Sequence, residues 1–282
     1  MDLQPIFTNG RYLESPRWHR GRLWFVDSLT KSLLCVDENG GALETVCTID
    51  GIPSGLGFLP DGSPVVVSMF DRRLLRIEAG RPVLHADLSK ISAGTLDDMI
   101  IDAAGRIYVG DLGIDLAHAS GDLSAPIGRI LLISPDRTAR VAAEGLRFPN
   151  GIAISEEGRE LIVAESNGDC LARYEVQSDG RLAFKDRVGR FGEPDGICMD
   201  AEGAVWMALF KEDSFVRIDS SGKVTDRIAT PGGRGIACVL GGEDRRTLLC
   251  ISAETTHQDL MKGRSTARID AARVAIPGAG WP

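Results

Sequence analysis

The stretch Asp195-Gly-Ile-Cys-Met-Asp-Ala-Glu-Gly203, followed by Ala204-Val-Trp-Met-Ala-Leu209, decides the fold of this 282-residue chain. A loop residue, a small residue, a short apolar run, a polar turn and a glycine stand in that order. Ala204 to Leu209 then reads as a second strand, and Ser214-Phe-Val-Arg-Ile218 alternates as a third. Asp219-Ser-Ser-Gly222 turns the chain, and Lys223 to Ala229 reads as a fourth. Apolar runs of this length between Gly and Asp turns are strand signals.

The same frame recurs at Ser54-Gly55…Gly62, Asp97-Asp98…Gly105, Asn150-Gly151…Gly158 and Arg234-Gly235…Gly242. In each copy the first residue stands eight positions before the last glycine. Glu14-Ser-Pro16…Gly21 is a sixth copy, one residue shorter. Self-similarity at about 40–50 residues, four strands per copy, predicts an all-β fold: a six-bladed β-propeller with four antiparallel strands per blade. A sandwich or closed barrel gives no reason for an in-register frame. No low-complexity linker divides the chain, so residues 1–282 read as a single domain. Helical periodicity is weak, and the best helical candidate is the short stretch Leu116 to Ser120.

Composition narrows the function. Apolar residues make up 43% and charged residues 26%, an ordinary balance for a folded soluble chain. The formal net charge is −8 with no basic cluster, which argues against a nucleic-acid partner. The opening segment has no charged start followed by an apolar run, and the longest apolar runs are strand-sized. Neither a signal peptide nor a membrane span is expected. Six cysteines occur without a C-x-x-C pair, which fits reduced thiols and a cytoplasmic location.

In a propeller the first strand of each blade lines the central channel, so the residue before it stands at one mouth. Glu14, Ser54, Asp97, Asn150, Asp195 and Arg234 should therefore converge. Glu14, Asn150 and Asp195 supply two carboxylates and an amide carbonyl. Oxygen-only ligation with negative charge suits a hard divalent cation such as Ca²⁺, Mg²⁺ or Mn²⁺. Asp97 is placed to be a fourth ligand or a neighbouring base. His19, His85, His118 and His257 show no metal-binding context and receive no catalytic role, which disfavours zinc held by nitrogen or sulfur. No G-x-S-x-G elbow and no P-loop is present, and Pro231-Gly-Gly-Arg-Gly235 lacks a following helix. The ends of the second strands bring Met69, Phe70 and Phe210 toward the same mouth, together with Phe148. An insertion in blade three, Leu112 to Gly128, reads as a lid over that mouth.

Glu14-Ser-Pro-Arg-Trp18, Gly21-Arg-Leu-Trp-Phe-Val-Asp27, Asp98-Met-Ile-Ile-Asp102 with Gly105-Arg106, Phe148-Pro-Asn-Gly151, Pro194-Asp-Gly196 and Leu240-Gly-Gly242 are each short. Their order and spacing resemble the regucalcin / gluconolactonase / luciferin-regenerating-enzyme family of six-bladed propellers, from roughly Leu13 to Ala253. The resemblance implies one divalent cation held by Glu14, Asn150 and Asp195, and hydrolysis of a lactone. More distant propellers of this type hydrolyse organophosphates. One departure concerns substrate: where the family often has R-x-N-D, this chain has Thr95-Leu-Asp-Asp98.

The expectation is a metal-dependent hydrolase of a small lactone or ester, with Asp195 or Asp97 as the base. Calcium ranks first as the cofactor, with Mg²⁺, Mn²⁺ or Zn²⁺ as alternatives. Thr95, Asp97, Phe148, Met69 and Phe210 are expected at the substrate, and an apolar lactone is expected to be preferred over a sugar lactone. A small molecule is the expected partner, without nucleic acid or membrane. The competing readings are a non-catalytic NHL-like propeller with a structural ion, and a phosphotriesterase-like hydrolase using the same metal.

Overall fold

The computed structural model describes residues 3–37, 40–118 and 123–280. Among them the strands form six four-stranded antiparallel sheets, the blades of a six-bladed β-propeller. Blade one comprises Leu13–His19, Arg22–Asp27, Ser32–Asp37 and Glu44–Thr48, from the channel outward. Blade two comprises Pro53–Phe58, Pro64–Ser68, Arg73–Glu78 and Arg81–Asp87. Blade three comprises Leu96–Ile101, Ile107–Asp111, Gly128–Ile133 and Ala139–Leu146. Blade four comprises Pro149–Ile154, Glu160–Glu165, Cys170–Val176 and Leu182–Val188. Blade five comprises Pro194–Met199, Val205–Leu209, Ser214–Ile218 and Val224–Ala229.

Blade six draws on both ends of the chain. Arg234–Gly241, Thr247–Glu254 and Thr266–Arg273 are joined at the outer edge by the N-terminal strand Gln4–Gly10. That pairing closes the ring, and the inner strands touch in cyclic order around the channel. Cores lie between neighbouring blades: Val65 and Val67 of blade two pack with Met99 and Val109 of blade three. Burial of such side chains is the main favourable term, at about 25 cal/mol per Å² of apolar surface. Among the described residues no helix is long and apolar enough to cross a membrane. Leu116–His118 form a turn rather than the expected helix, and Ser120 lies outside the described residues.

Each inner strand carries an irregularity at its mouth end, and in four of them the frame residue sits in it. In blade three Leu96 pairs with Asp111 and Met99 with Val109, so Asp97 and Asp98 together oppose Gly110. Ser54-Gly55, Asn150-Gly151 and Asp195-Gly196 oppose single residues in the same way. Two residues against one is a β-bulge, which re-aims side chains and ends regular pairing. In blade one the shift comes one residue later, after Glu14, and in blade six two residues later, after Gly235.

The glycines after the frame residues answer to the neighbouring blade. A β-carbon on Gly151 would lie 2.5 Å from the Asp195 carbonyl oxygen, and one on Gly196 would lie 2.4 Å from the Ala237 β-carbon. Real β-carbons do not approach so closely, so the strands meet only where side chains are missing.

Buried carboxylates at the ends of second strands hold the incoming loops. Asp27 accepts from the backbone N–H groups of Arg11, Tyr12, Leu29 and Thr30. Asp111 accepts from Ala93, Gly94 and Gly113 and takes the Arg129 guanidinium at 2.6 Å. Glu165 takes Arg147 N and Arg187 Nε. Removing Asp111 strands three N–H groups and an arginine. Asp111→Ala should destabilise the protein by about 3–5 kcal/mol, measured by denaturant unfolding, without changing its compactness.

Candidate active site at the channel mouth

Two short segments deliver the central residues. Phe148-Pro149-Asn150 and Glu193-Pro194-Asp195 enter blades four and five in the same way, and Phe148 and Glu193 hold φ values of 60° and 58°. Positive φ is costly for a bulky residue and is kept only where the surroundings enforce it. Hydroxyl groups of the preceding blade fix the entering peptide: Ser166 Oγ donates to the Pro194 carbonyl at 2.6 Å, and Ser28 Oγ donates to that of Pro53 at 2.7 Å.

The expected convergence of oxygen donors is present. Asn150 donates a side-chain hydrogen bond to Asp195, and the charges of Asp195 and Asp97 act on Glu14. Tyr12 donates its hydroxyl to Glu14. Ser54 Oγ donates to Asp97 Oδ1 at 2.8 Å. Glu14, Asp97 and Asn150 keep part of their surface open, whereas Asp195 is 5% exposed.

Crowding shows in the titration of these groups. Burial, then the charges of Asp195, Asp97 and Asp98, raise Glu14 well above the usual carboxylate range. Burial, then Asp97 and Glu193, do the same to Asp195. Burial pushes Asp97 up to about 7, with Asp98 adding and the Ser54 hydrogen bond opposing. Burial and the same carboxylates also raise Tyr12 well above its ordinary value.

The two inner-strand arginines point elsewhere. Arg17 pairs with Asp98 Oδ1 at 2.9 Å and donates to the Met99 carbonyl at 2.7 Å. Asp98 also accepts from Ser15 Oγ and Ile152 N, tying blades one, three and four below the mouth. Arg234 lies 3.4 Å from Asp213 Oδ1.

A divalent cation fits this donor set. Asp195 Oδ1 is buried and has no hydrogen-bond partner among the described residues. Among the described residues neither Glu14 nor Asp97 beside it pairs with a cation, and the side chains they meet offer hard oxygens. Among the described residues no three His, Cys, Asp or Glu side chains gather closely enough to hold an ion by themselves. The fit therefore depends on the amide oxygen of Asn150.

The remaining candidates divide. Met69, Phe148 and Phe210 stand at strand ends on the mouth side, Phe210 buried and the other two half-buried. Thr95 is 2% exposed and faces the blade-three insertion. Its Oγ1 accepts from Leu116 N, its N–H donates to Ile114 O, and its carbonyl accepts from Leu112 N. Thr95 is thus the root of that loop. Further along, Leu123 O accepts from Asn167 Nδ2 of blade four at 2.9 Å. Residues 119–122 of the expected lid lie outside the described residues.

Beside the mouth, blade six opens a concavity of ≈ 680 Å³. Its wall includes Asp213, Arg234, Glu254, Thr255, Ser265 and Thr266. The helix His257–Leu260 borders it, and His257 Nε2 lies 2.7 Å from Glu193 Oε1.

The model of the SMP-30/Gluconolactonase/LRE-like region matches residues 13–254. The chain belongs to that family. It is 26% identical over 257 residues to pentonolactonase XacC of Haloferax volcanii, covering 88% of this chain and 84% of the relative. It is 28% identical over 193 residues to a 6-deoxy-6-sulfogluconolactonase of Pseudomonas putida, covering 66% and 64%. A structure titled as a calcium-binding protein, regucalcin, from Agrobacterium tumefaciens superposes with a TM-score of 0.79 at 20% identity, covering 97% and 94%. At that identity the likeness shows the shared propeller.

Sequence reasoning missed Tyr12, Arg17, Glu193 and the contact of His257 with Glu193. Glu193 and His257 stand outside the repeated frame, so no periodicity marks them. Tyr12 and Arg17 flank Glu14, and their roles come from folded contacts with Glu14 and Asp98.

The raised carboxylates give a pH prediction for the metal-free protein. Their folded values exceed the unfolded ones, so the stability they contribute is present at low pH and is lost as pH rises through the folded values. For Asp97 that window ends near 7. With EDTA, Tm should fall between pH 5 and pH 8, and excess Ca²⁺ should reverse the fall at pH 8. Asp195→Ala should abolish Ca²⁺ binding in calorimetry.

Proposed function

We propose that this protein is a cytoplasmic lactone hydrolase that works with one divalent cation, calcium first. Glu14, Asn150 and Asp195 would hold the ion. The observation that carries the reading is the buried, unpartnered Asp195 Oδ1 amid crowded oxygen donors, in a chain of this family. Names of its relatives supply the reaction class: pentonolactonase and 6-deoxy-6-sulfogluconolactonase.

When bound, the ion supplies Lewis acidity toward a carbonyl oxygen. The protein's own groups do the rest. Asp97 is outside the ligand set and has one oxygen engaged by Ser54, which leaves Oδ2 to take a proton from the attacking water. Met69, Phe148 and Phe210 border the position of the lactone ring.

Against the expectation of an apolar substrate, the polarity of the neighbouring concavity supports a hydroxylated one. Buried hydroxyl groups need partners, at about 1–3 kcal/mol for each one left unpaired. Asp213, Arg234, Glu254, Thr255, Ser265 and Thr266 offer such partners. Glu254, Thr255, Ser265 and Thr266 lie in or flank a blade-six loop outside the repeated frame, so the frame could not reveal them. A hydroxylated, sugar-type lactone is the better match.

The test is a comparison of kcat/KM for a pentonolactone or gluconolactone with that for an alkyl-substituted lactone, with and without EDTA. We expect at least a tenfold preference for the hydroxylated lactone and loss of turnover on chelation. At saturating Ca²⁺, Asp97→Asn should lower kcat about 100-fold, with Ca²⁺ affinity reduced by the loss of its charge beside Glu14 and Asp195. An unchanged kcat in that variant would pass the proton-accepting role to Asp195.

A further inference from the structure

The blade-six loop carries a second piece of proton-handling geometry. Its short helix is capped by Thr256, whose side chain accepts from Asp259 N. His257 opens the helix, with Nε2 at 2.7 Å from Glu193 Oε1. The imidazole lies flat on Phe210, with centroids 4.4 Å apart and planes 18° apart. Arg234 approaches the same ring, its guanidinium carbon 5.8 Å from the centroid.

Glu193 is buried, and Lys211 Nζ meets its other oxygen at 3.1 Å. His257 and Lys211 thus engage both oxygens of the Glu193 carboxylate. Its chain continues through Pro194 into Asp195, and its charge is felt there. The imidazole is thus held at the mouth by Nε2 and by a flat apolar surface. Nδ1 has no partner among the described residues. A buried carboxylate orienting a histidine from behind is the arrangement by which hydrolases fix a tautomer and present the other nitrogen to substrate.

We propose that His257, oriented by Glu193, donates the proton to the ring oxygen that leaves as the lactone opens. The inference rests on the lactone-hydrolase reading. In the step, the water oxygen forms a bond to the carbonyl carbon, and the bond from that carbon to the ring oxygen breaks. The water proton passes to Asp97, and the Nδ1 proton of His257 passes to the ring oxygen. The product is the open hydroxy acid, and both residues then exchange protons with solvent. The charged groups facing His257 are Glu193 and Lys211 of blade five, Arg234 with its partner Asp213, and Asp259 on its own helix, which Arg264 engages.

The test measures kcat against pH on a hydroxylated lactone with the Ca²⁺-loaded protein. Wild type should show an alkaline limb in kcat. His257→Gln should lower kcat about 100-fold and lose that limb, with Tm and calorimetric Ca²⁺ affinity close to wild type. Glu193→Gln removes the anion beside the imidazole, so the limb should move down by about one pH unit. Lys211→Met removes a cation and should move it up, by less. A structural pair would move none of these positions. A His257→Gln protein with the wild-type alkaline limb overturns the proposal. A wild-type protein that binds Ca²⁺ but opens no lactone overturns the hydrolase reading first, and this inference with it.

Discussion

The close approach of neighbouring inner strands at one end of the channel governs the rest of the structure. At Gly151 and Gly196 there is no room for a β-carbon against the next blade. Steric exclusion there does two things. It lets six blades close at this radius, and it forces bulges that lift the preceding residues toward the mouth. Asn150 and Asp195 are polar groups made prominent by a constraint on the residues after them. Blade three solves the problem differently. Asp98 stands where blades two, four, five and six have glycine, and its carboxylate turns to Arg17, Ser15 and Ile152 N.

Electrostatics follows from that packing. The bulges concentrate carboxylates, and burial raises Glu14, Asp97 and Asp195 together. An interior cation could have relieved them, yet Arg17 is bound to Asp98 and Arg234 stands beside Asp213. The mouth is left electrostatically unfinished, the condition in which a mobile ion binds most favourably. Around the rim the pairing is different, since Glu193 has both His257 and Lys211. Charge is balanced at the edge and unbalanced at the centre.

Much of this could be read from the chain because repetition multiplies weak signals. One Asp-Gly is a turn, whereas five in-register frames gave the blade count and the converging set. Where the signal does not repeat, legibility ends. Thr95 occupies a frame-adjacent position, but its hydroxyl direction is decided by the blade-three insertion, so its expected place at the substrate could not be checked from sequence. The weak helical pattern at Leu116 competed with turn chemistry and lost, while the short helix at His257–Leu260 depends on the Thr256 cap and its neighbours. The Glu193–His257 contact joins residues of two blades across 64 positions and leaves no trace in either segment alone. Bulges are equally hidden, because a period-two pattern does not show where one residue has been inserted.

The strand that completes blade six has a kinetic consequence. Gln4–Gly10 pairs with Thr266–Arg273, and the chain reaches Glu14 only a few residues beyond it. Glu14, near the start of the chain, is thus seated on a strand whose neighbour comes from the far end. Contacts of such long sequence separation form slowly, because the closure entropy must be met before they stabilise anything. During synthesis, blades two to five can assemble while Glu14 still waits for its neighbour. Ring closure and the gathering of Glu14 with Asn150 and Asp195 at the mouth become one event.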